Sequence, residues 1–261
     1  MDISNLKINT ATLVERKILN PVGSVLHLTF NLEHALPQPF HAGQFITIKI
    51  NENTYRAYSI ASSPHSLDQF NIILTIDKPG MGANYLNDLK VGDTIQFMGP
   101  RGRFKLNKDF APTLNFIATG TGISPFISMF HVLKDPAQAR TPTTLDQPQT
   151  NPNVNFYWGV RKVEDVYLDS MLDQFKQTIP NFNYWITLSQ EQTHNFLNGR
   201  VTNHLDDITF SNAHNYICGH PGMVEDVLKH LMNYQIPPET IFFEKFTVGA
   251  PQSLHLRTDK P

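Results

Sequence analysis

From residue 10 to about residue 97 the chain is a series of short apolar or β-branched runs separated by Asn, Pro, Gly and Ser: TATLVERKI, SVLHLTF, QFITIKI, RAYSIA, FNIILTI and DTIQFM. Several of them alternate apolar and polar residues with a period of two, the signature of half-buried strands. Six such runs at regular spacing predict an antiparallel barrel or sandwich of about six strands. One short helix is expected among them, over 82–88.

After Pro112 the pattern changes. LNFIA leads through a Gly-rich turn into the helical run SPFISMFHVLK, VNFYWGV precedes DVYLDSMLDQFKQ, FNYWITL follows, NYICG precedes PGMVEDVLKHLMNY, and IFFEKF comes last. Strands alternating with helices of this length predict a parallel sheet covered on both faces. We therefore expect two domains: a six-stranded antiparallel barrel over 1–110, then a Rossmann-like parallel α/β domain over 111–261 with a short tail. The stretch 134–152, rich in Pro, Thr, Gln and Asp, reads as a surface loop.

Composition narrows the chemistry. The 261 residues are 40% hydrophobic, enough for packed cores, and no run approaches the eighteen apolar residues of a membrane helix. With no apolar signal region near its start, the expectation is a cytoplasmic protein without a membrane partner. Cys218 is the only cysteine, so an iron–sulfur cluster lacks its thiolates and any electron transfer needs an organic cofactor. A net charge of −2 argues against nucleic acid as a partner. Charge is unevenly placed: residues 1–110 hold 11 Lys and Arg against 9 Asp and Glu, the remainder 10 against 14. Arg101, Arg103, Lys105 and Lys108 crowd together, either as a solvated loop or as a dock for an acidic redox partner. His27, His34 and His41 recur every seven residues, but Pro37 and Pro39 rule out a helix that would align them, and no metal site is expected.

Three segments carry candidate chemistry. In Arg56-Ala57-Tyr58-Ser59, alternation puts the cation and the ring on one strand face and the hydroxyl on the other; a plain strand with a surface arginine has the same pattern. The turn Gly120-Thr121-Gly122-Ile123-Ser124-Pro125 lies between a strand and a helix, where small residues and free N–H groups suit a phosphate. Pro125 stands where the dinucleotide fingerprint has its third Gly, and Tyr157-Trp158-Gly159-Val160-Arg161 lacks the expected acid, so a simple tight turn is an equal reading. Cys218-Gly219-His220-Pro221-Gly222-Met223 places small residues at a further strand end; its thiol is either buried and inert or part of a site.

Taken in order, RAYSIASSP, MGANYL, GDTIQFMGPRGRF, GTGISP, YWGVR, LSQEQ with GRV, CGHPGM and FFEKF resemble the ferredoxin–NADP reductase superfamily, nearest the flavoprotein modules of bacterial oxygenase reductases and of ferredoxin or flavin reductases. The resemblance implies a flavin-dependent NAD(P)H oxidoreductase that binds FAD, with FMN the less favoured flavin, and either NADH or NADPH. Arg56 would meet the flavin pyrophosphate, Tyr58 its ring system and Ser59 the neighbourhood of N5, with Ala57 between them. Gly82, Ala83 and Asn84 would offer helix N–H groups, although Ala83 replaces a frequent serine. Thr119, Gly120, Thr121 and Gly122 would cradle the nicotinamide dinucleotide, Cys218 and Gly219 would line its ring, and Met223 would be a further cofactor-binding residue. Ser59, Cys218 and Glu244 would surround hydride transfer, with Phe246 near the flavin. Unlike the plant-type reductases, the chain continues for fifteen residues beyond Phe246. Ser189-Gln190 stands where NADP-preferring members often carry Ser-Arg, which points to NADH, with Arg161 as the alternative phosphate ligand.

The acceptor is expected to be a separate ferredoxin, flavodoxin or oxygenase component docking near Arg101, Arg103 and Lys105. Alternatives are a flavin or ferric reductase with a small-molecule acceptor, and a flavin-binding subunit that makes no use of nicotinamide.

Overall fold

In the computed structural model, residues 8–77, 80–134 and 151–246 are described. The loop expected over 134–152 and the tail after Phe246 lie almost entirely or wholly outside them. The six front runs are six strands: β1 (Asn9–Ile18), β2 (Val25–Leu32), β3 (Phe45–Asn51), β4 (Thr54–Ser59), β5 (Gln69–Thr75) and β6 (Thr94–Arg101). They pair antiparallel in the order β4-β3-β6-β1-β2-β5. The ends of that sheet meet. Ile60, just past β4, bridges to Ile72 of β5, and the Ala61 N–H donates to the Asn71 carbonyl at 2.8 Å, so the arrangement is a barrel and not a sandwich. Alternation puts Leu13, Leu28, Phe30, Ile46, Ile48, Ile72 and Phe97 inside, all at most 1% exposed. Phe70 lies between Phe30 and Phe97, with ring centroids 5.3 and 5.2 Å away. Helix α1 (Met81–Asp88) closes one mouth by burying Leu86 in this core.

The rear half is an all-parallel sheet of β7 (Thr113–Thr119), β8 (Asn153–Val160), β9 (Phe182–Leu188), β10 (Leu197–Asn198), β11 (Ala213–Gly219) and β12 (Ile241–Lys245), in the order β10-β9-β8-β7-β11-β12. Central β7 is continuously buried from Leu114 to Ala118, as expected for a strand covered on both faces. Helices α2 (Ser124–Leu133) and α3 (Asp169–Thr178) pack on one face around Phe116, Phe130 and Trp158. Helix α4 (Pro221–Asn233) and a 3-10 segment, Val201–Asp207, cover the other around Ile117, Val201 and Val224. A buried amide ladder fixes the register. Asn155 donates to Asn115 at 3.2 Å, and Asn115 donates to Asn215 at 2.9 Å, across three adjacent strands.

One local detail differs from the sequence reading. The helix expected from Asp165 starts at Asp169, because Val163–Asp165 forms a 3-10 turn and Tyr167 turns inward to bury its ring. Between β9 and β11 the chain passes through the short β10 and the 3-10 segment Val201–Asp207. Among the described residues no helix is long and apolar enough to cross a membrane.

Chain order creates the crevice. From β7 the chain runs outward through β8, β9 and β10, then crosses back to β11 on the other side of β7. The carboxyl ends of β7 and β11 therefore flank a switch point, where ligands of open α/β sheets bind. The barrel is packed onto the same body: Val25, Ala42, Ala61, Ile73 and Phe104 share one apolar cluster with Phe126, Ile127 and Met129. The Asn107 N–H also donates to the Tyr216 hydroxyl at 3.0 Å.

Candidate active site

The barrel side of the site is built on β4. Antiparallel register pairs Arg56 with Ile48, Tyr58 with Ile46 and Ser59 with Phe45, so Arg56 and Tyr58 share a face. Both lie against Gly82 in the first turn of α1. A Cβ there would overlap the Tyr58 hydroxyl and come within 2.9 Å of the Arg56 Cγ, so the helix approaches this closely only because position 82 has no side chain. Burial pushes the Tyr58 hydroxyl up to about 12, so it stays protonated. The Arg56 guanidinium spends Nη1 on the adjacent Tyr55 carbonyl at 2.9 Å. Gly80, the residue preceding α1, supplies no side-chain cap, which leaves the first N–H groups of the helix to find partners elsewhere. Ala83 is half-buried, Asn84 is exposed and Ser59 is buried.

The rear side converges on the switch point. Thr119 ends β7, and its Oγ1 accepts the His220 N–H at 3.0 Å, which ties the end of β7 to the start of α4. Gly120 takes a φ of +52°, and the 3-10 helix Gly120–Ile123 leads straight into α2, with Pro125 in its first turn. A Cβ on Gly122 would overlap the Cys218 carbonyl oxygen, and one on Gly219, with φ +138°, would overlap Thr119. Thr119, Gly122, Cys218 and Gly219 therefore meet backbone to backbone. The Phe246 N–H donates to the Gly219 carbonyl at 2.8 Å and brings the end of the described chain to the same place.

Cys218 is wholly buried and stands in register between Ala118 of β7 and Glu244 of β12. Burial and the neighbouring Glu244 push its thiol well up, so it is a thiol and not a thiolate nucleophile. Glu244 is less deeply placed overall, but its Oε2 is enclosed and has no hydrogen-bond partner. Burial raises this carboxyl to about 7. An enclosed acid with an unmet acceptor beside an uncharged thiol is what an occupant with a polar edge would complete. Met223 enters the apolar cluster under α4, and its side chain is 7% exposed.

The two sides adjoin. β5 touches the Gly120–Ile123 helix, and Arg161 Nη1, just past β8, lies 3.9 Å from Asp77 Oδ2, just past β5. Among the described residues no hydrogen bond joins Ser59 to Cys218 or Glu244. Of the basic stretch, Arg101 is partly buried, with Nη2 donating to Thr47 at 2.6 Å and its guanidinium 5.8 Å from the Phe45 ring centre. Arg103 and Lys108 are exposed and Lys105 is half-exposed.

Sequence patterning missed three contributors. Trp158 and Tyr167 both donate to the Gly120 carbonyl, and Asp77 meets Arg161. Trp158 sits inside the YWGVR motif, but nothing in its spacing indicates a partner thirty-eight positions away.

Residues 10–106 match the family model described as oxidoreductase FAD-binding domain, and residues 116–229 that described as oxidoreductase NAD-binding domain. The chain is 29% identical over 231 residues to the 2-halobenzoate 1,2-dioxygenase electron transfer component of Burkholderia cepacia, covering 87% of this chain and 65% of the relative. It is 30% identical over 236 residues to the anthranilate 1,2-dioxygenase electron transfer component of Acinetobacter baylyi, covering 88% and 64%. This chain thus spans a little under two thirds of these relatives. Among solved structures, the ferredoxin–NADP+ reductase of Plasmodium falciparum superposes with a TM-score of 0.71 at 26% identity, covering 91% of this chain and 95% of that one. The cytochrome P450 reductase of Amycolatopsis superposes with 0.79 at 23% identity, covering 93% and 70%.

Proposed function

Since the chain belongs to the ferredoxin–NADP reductase superfamily and joins an FAD-binding to an NAD-binding domain, we propose that it takes hydride from a nicotinamide dinucleotide and passes the electrons through FAD to a separate acceptor. One observation carries the proposal: the barrel adjoins the β7–β11 switch point, with β5 in contact with the Gly120–Ile123 helix and Arg161, past β8, meeting Asp77, past β5. FAD bound in the barrel would accept two electrons as hydride and release them singly. The residues present suit it. Arg56 and the uncapped N–H groups of Gly82 and Ala83 would hold the pyrophosphate, Tyr58 would cover the ring system, and Ser59 would stand at its reactive edge; the Asn84 N–H, expected to join them, is spent on the Gly80 carbonyl at 2.9 Å. Thr119, Gly120, Thr121 and Gly122 would hold the dinucleotide, while Cys218 and Gly219 line its nicotinamide end. Glu244 would close the site beside them and supply the acceptor that its unpartnered oxygen represents. The protein's share of the work is alignment and exclusion of water. We place the domain boundary near residue 110, between the two matched segments.

NADH is the proposed coenzyme. Lys162, Glu164, Asp169, Gln190, Glu191 and Phe196 line an open groove of about 750 Å³ beyond β8 and β9. Glu191 accepts the Val163 N–H at 2.9 Å, which holds a carboxylate over this groove, and Arg161 faces Asp77. A 2′-phosphate would meet like charge there, whereas a ribose hydroxyl would meet an acceptor. A hundredfold advantage for NADPH in kcat/KM would refute this choice.

The dioxygenase relatives are electron transfer components, which supports a separate redox protein as acceptor. Our reading places the chain in the cytoplasm and the acceptor's dock at the exposed Arg103 and the neighbouring Lys105, beside an Arg101 whose guanidinium is engaged with Thr47. Reoxidation of the reduced protein separates the readings. Fast turnover with a ferredoxin, flavodoxin or oxygenase component supports the proposal; turnover only with free flavin or ferric chelate supports a small-molecule reductase.

A further inference from the structure

Two buried rings from different elements donate to one carbonyl. Trp158 Nε1, in β8, lies 2.9 Å from the Gly120 oxygen, and the Tyr167 hydroxyl, before α3, lies 3.2 Å from the same atom. Trp158 is wholly buried and Tyr167 is 8% exposed. The rings meet edge to face at 5.0 Å and 87°, so each limits the other's movement. A carbonyl oxygen has two lone pairs, and here both have a donor.

The consequence follows from peptide geometry. Carbonyl and N–H of a trans peptide point in opposite directions, so drawing the Gly120 oxygen into the core turns the Thr121 N–H outward. Thr121 is the second residue of the 3-10 helix, within the first turn where an N–H has no partner inside the helix, and both Gly120 and Thr121 are partly exposed. Gly120, at φ +52°, is the residue about which this peptide would most easily turn over. We infer that Trp158 and Tyr167 are positioning residues for dinucleotide binding: they fix the Gly120–Thr121 peptide so that its N–H faces the pyrophosphate. A tryptophan N–H satisfied by the nearest carbonyl needs no second donor; two donors converging from separate elements on the carbonyl of a positive-φ glycine fix a peptide plane.

This inference rests on the dinucleotide site proposed above, so its test reads binding apart from reduction. Trp158→Phe, Tyr167→Phe and the double variant, each loaded with flavin, are titrated with NAD+ by calorimetry and reduced with NADH in the absence of oxygen. Losing one donor is expected to raise Kd for NAD+ about threefold and losing both at least about tenfold, the second loss costing more because either donor alone still pins the carbonyl. Flavin content and spectrum are expected to stay unchanged, as is the limiting reduction rate at saturating NADH. A double variant that binds NAD+ like the wild type would overturn the inference, as would flavin content and limiting rate falling in step with affinity. If the double variant does not fold, Tyr167→Phe, which removes a single oxygen, decides by itself, and an unchanged Kd overturns the inference. A wild-type protein that binds NAD+ but is not reduced by NADH would instead refute the proposed function and leave this inference standing.

Discussion

Gly122 lies against Cys218 so closely that a Cβ on the glycine would overlap the cysteine's carbonyl oxygen and come within 2.7 Å of its carbonyl carbon. The obstructing atoms are backbone, so they cannot swing aside as a side-chain end would. Gly122→Ala is therefore expected to push the β7 turn away from β11, at a cost of about 1–3 kcal/mol. Calorimetry with NAD+ is expected to read a loss of affinity of at least about tenfold, consistent with that strain. The barrel is untouched, and flavin content is expected to stay at the wild-type level.

The barrel side has its own test. Arg56→Ala removes the cation beside α1, and charged hydrogen bonds of this kind contribute about 1.5–3 kcal/mol. Fluorescence titration of the flavin-free protein is expected to show FAD binding weakened on the order of tenfold to a hundredfold. Arg103→Ala is expected to leave FAD binding unchanged and to slow reoxidation by an acidic protein acceptor, more so at low salt.

Glu244 predicts a pH dependence. Its carboxyl titrates near 7 in the folded protein against a usual 4.5, so the fold favours the protonated form. Its contribution to stability is complete below the usual value, falls as pH rises between the two and is constant above about 7. Glu244→Gln is expected to lack that fall, so the gap between variant and wild type in urea midpoint widens from pH 4.5 to 7 and then holds. The limiting rate of flavin reduction is expected to titrate near pH 7 in the wild type and to be flat there in the variant.

The amide ladder yields a prediction for stability alone. Asn115→Ala takes a donor from Asn215 and the Thr209 carbonyl and an acceptor from Asn155. Stranding buried polar groups costs about 1–3 kcal/mol each, so a total loss of about 2–4 kcal/mol is expected from urea unfolding, with coenzyme affinity of the folded fraction unchanged.

Much of this architecture was legible from local pattern. The six front strands follow from period-two alternation, and the parallel sheet from β7 onward follows from strand–helix alternation. Arg56 and Tyr58 share a face because they are two residues apart in a strand. What local pattern does not contain is long-range pairing. Barrel closure depends on Ile60 meeting Ile72, and the fixed turn depends on Trp158 and Tyr167 reaching Gly120. Tyr167 illustrates the difficulty: it lies in a run with helical spacing, yet leaves the helix because its hydroxyl finds a buried carbonyl and its ring a place against Trp158. The Arg161–Asp77 contact joins the two halves of the chain and has no counterpart in either half read alone.

Anaerobic mixing of the flavin-loaded protein with NADH tests the central claim most directly, with absorbance followed in time. The account predicts rapid bleaching of the yellow flavin band, with a rate that saturates as NADH increases. A flavin that stays oxidised with both NADH and NADPH, in protein that is folded and fully loaded, would contradict it.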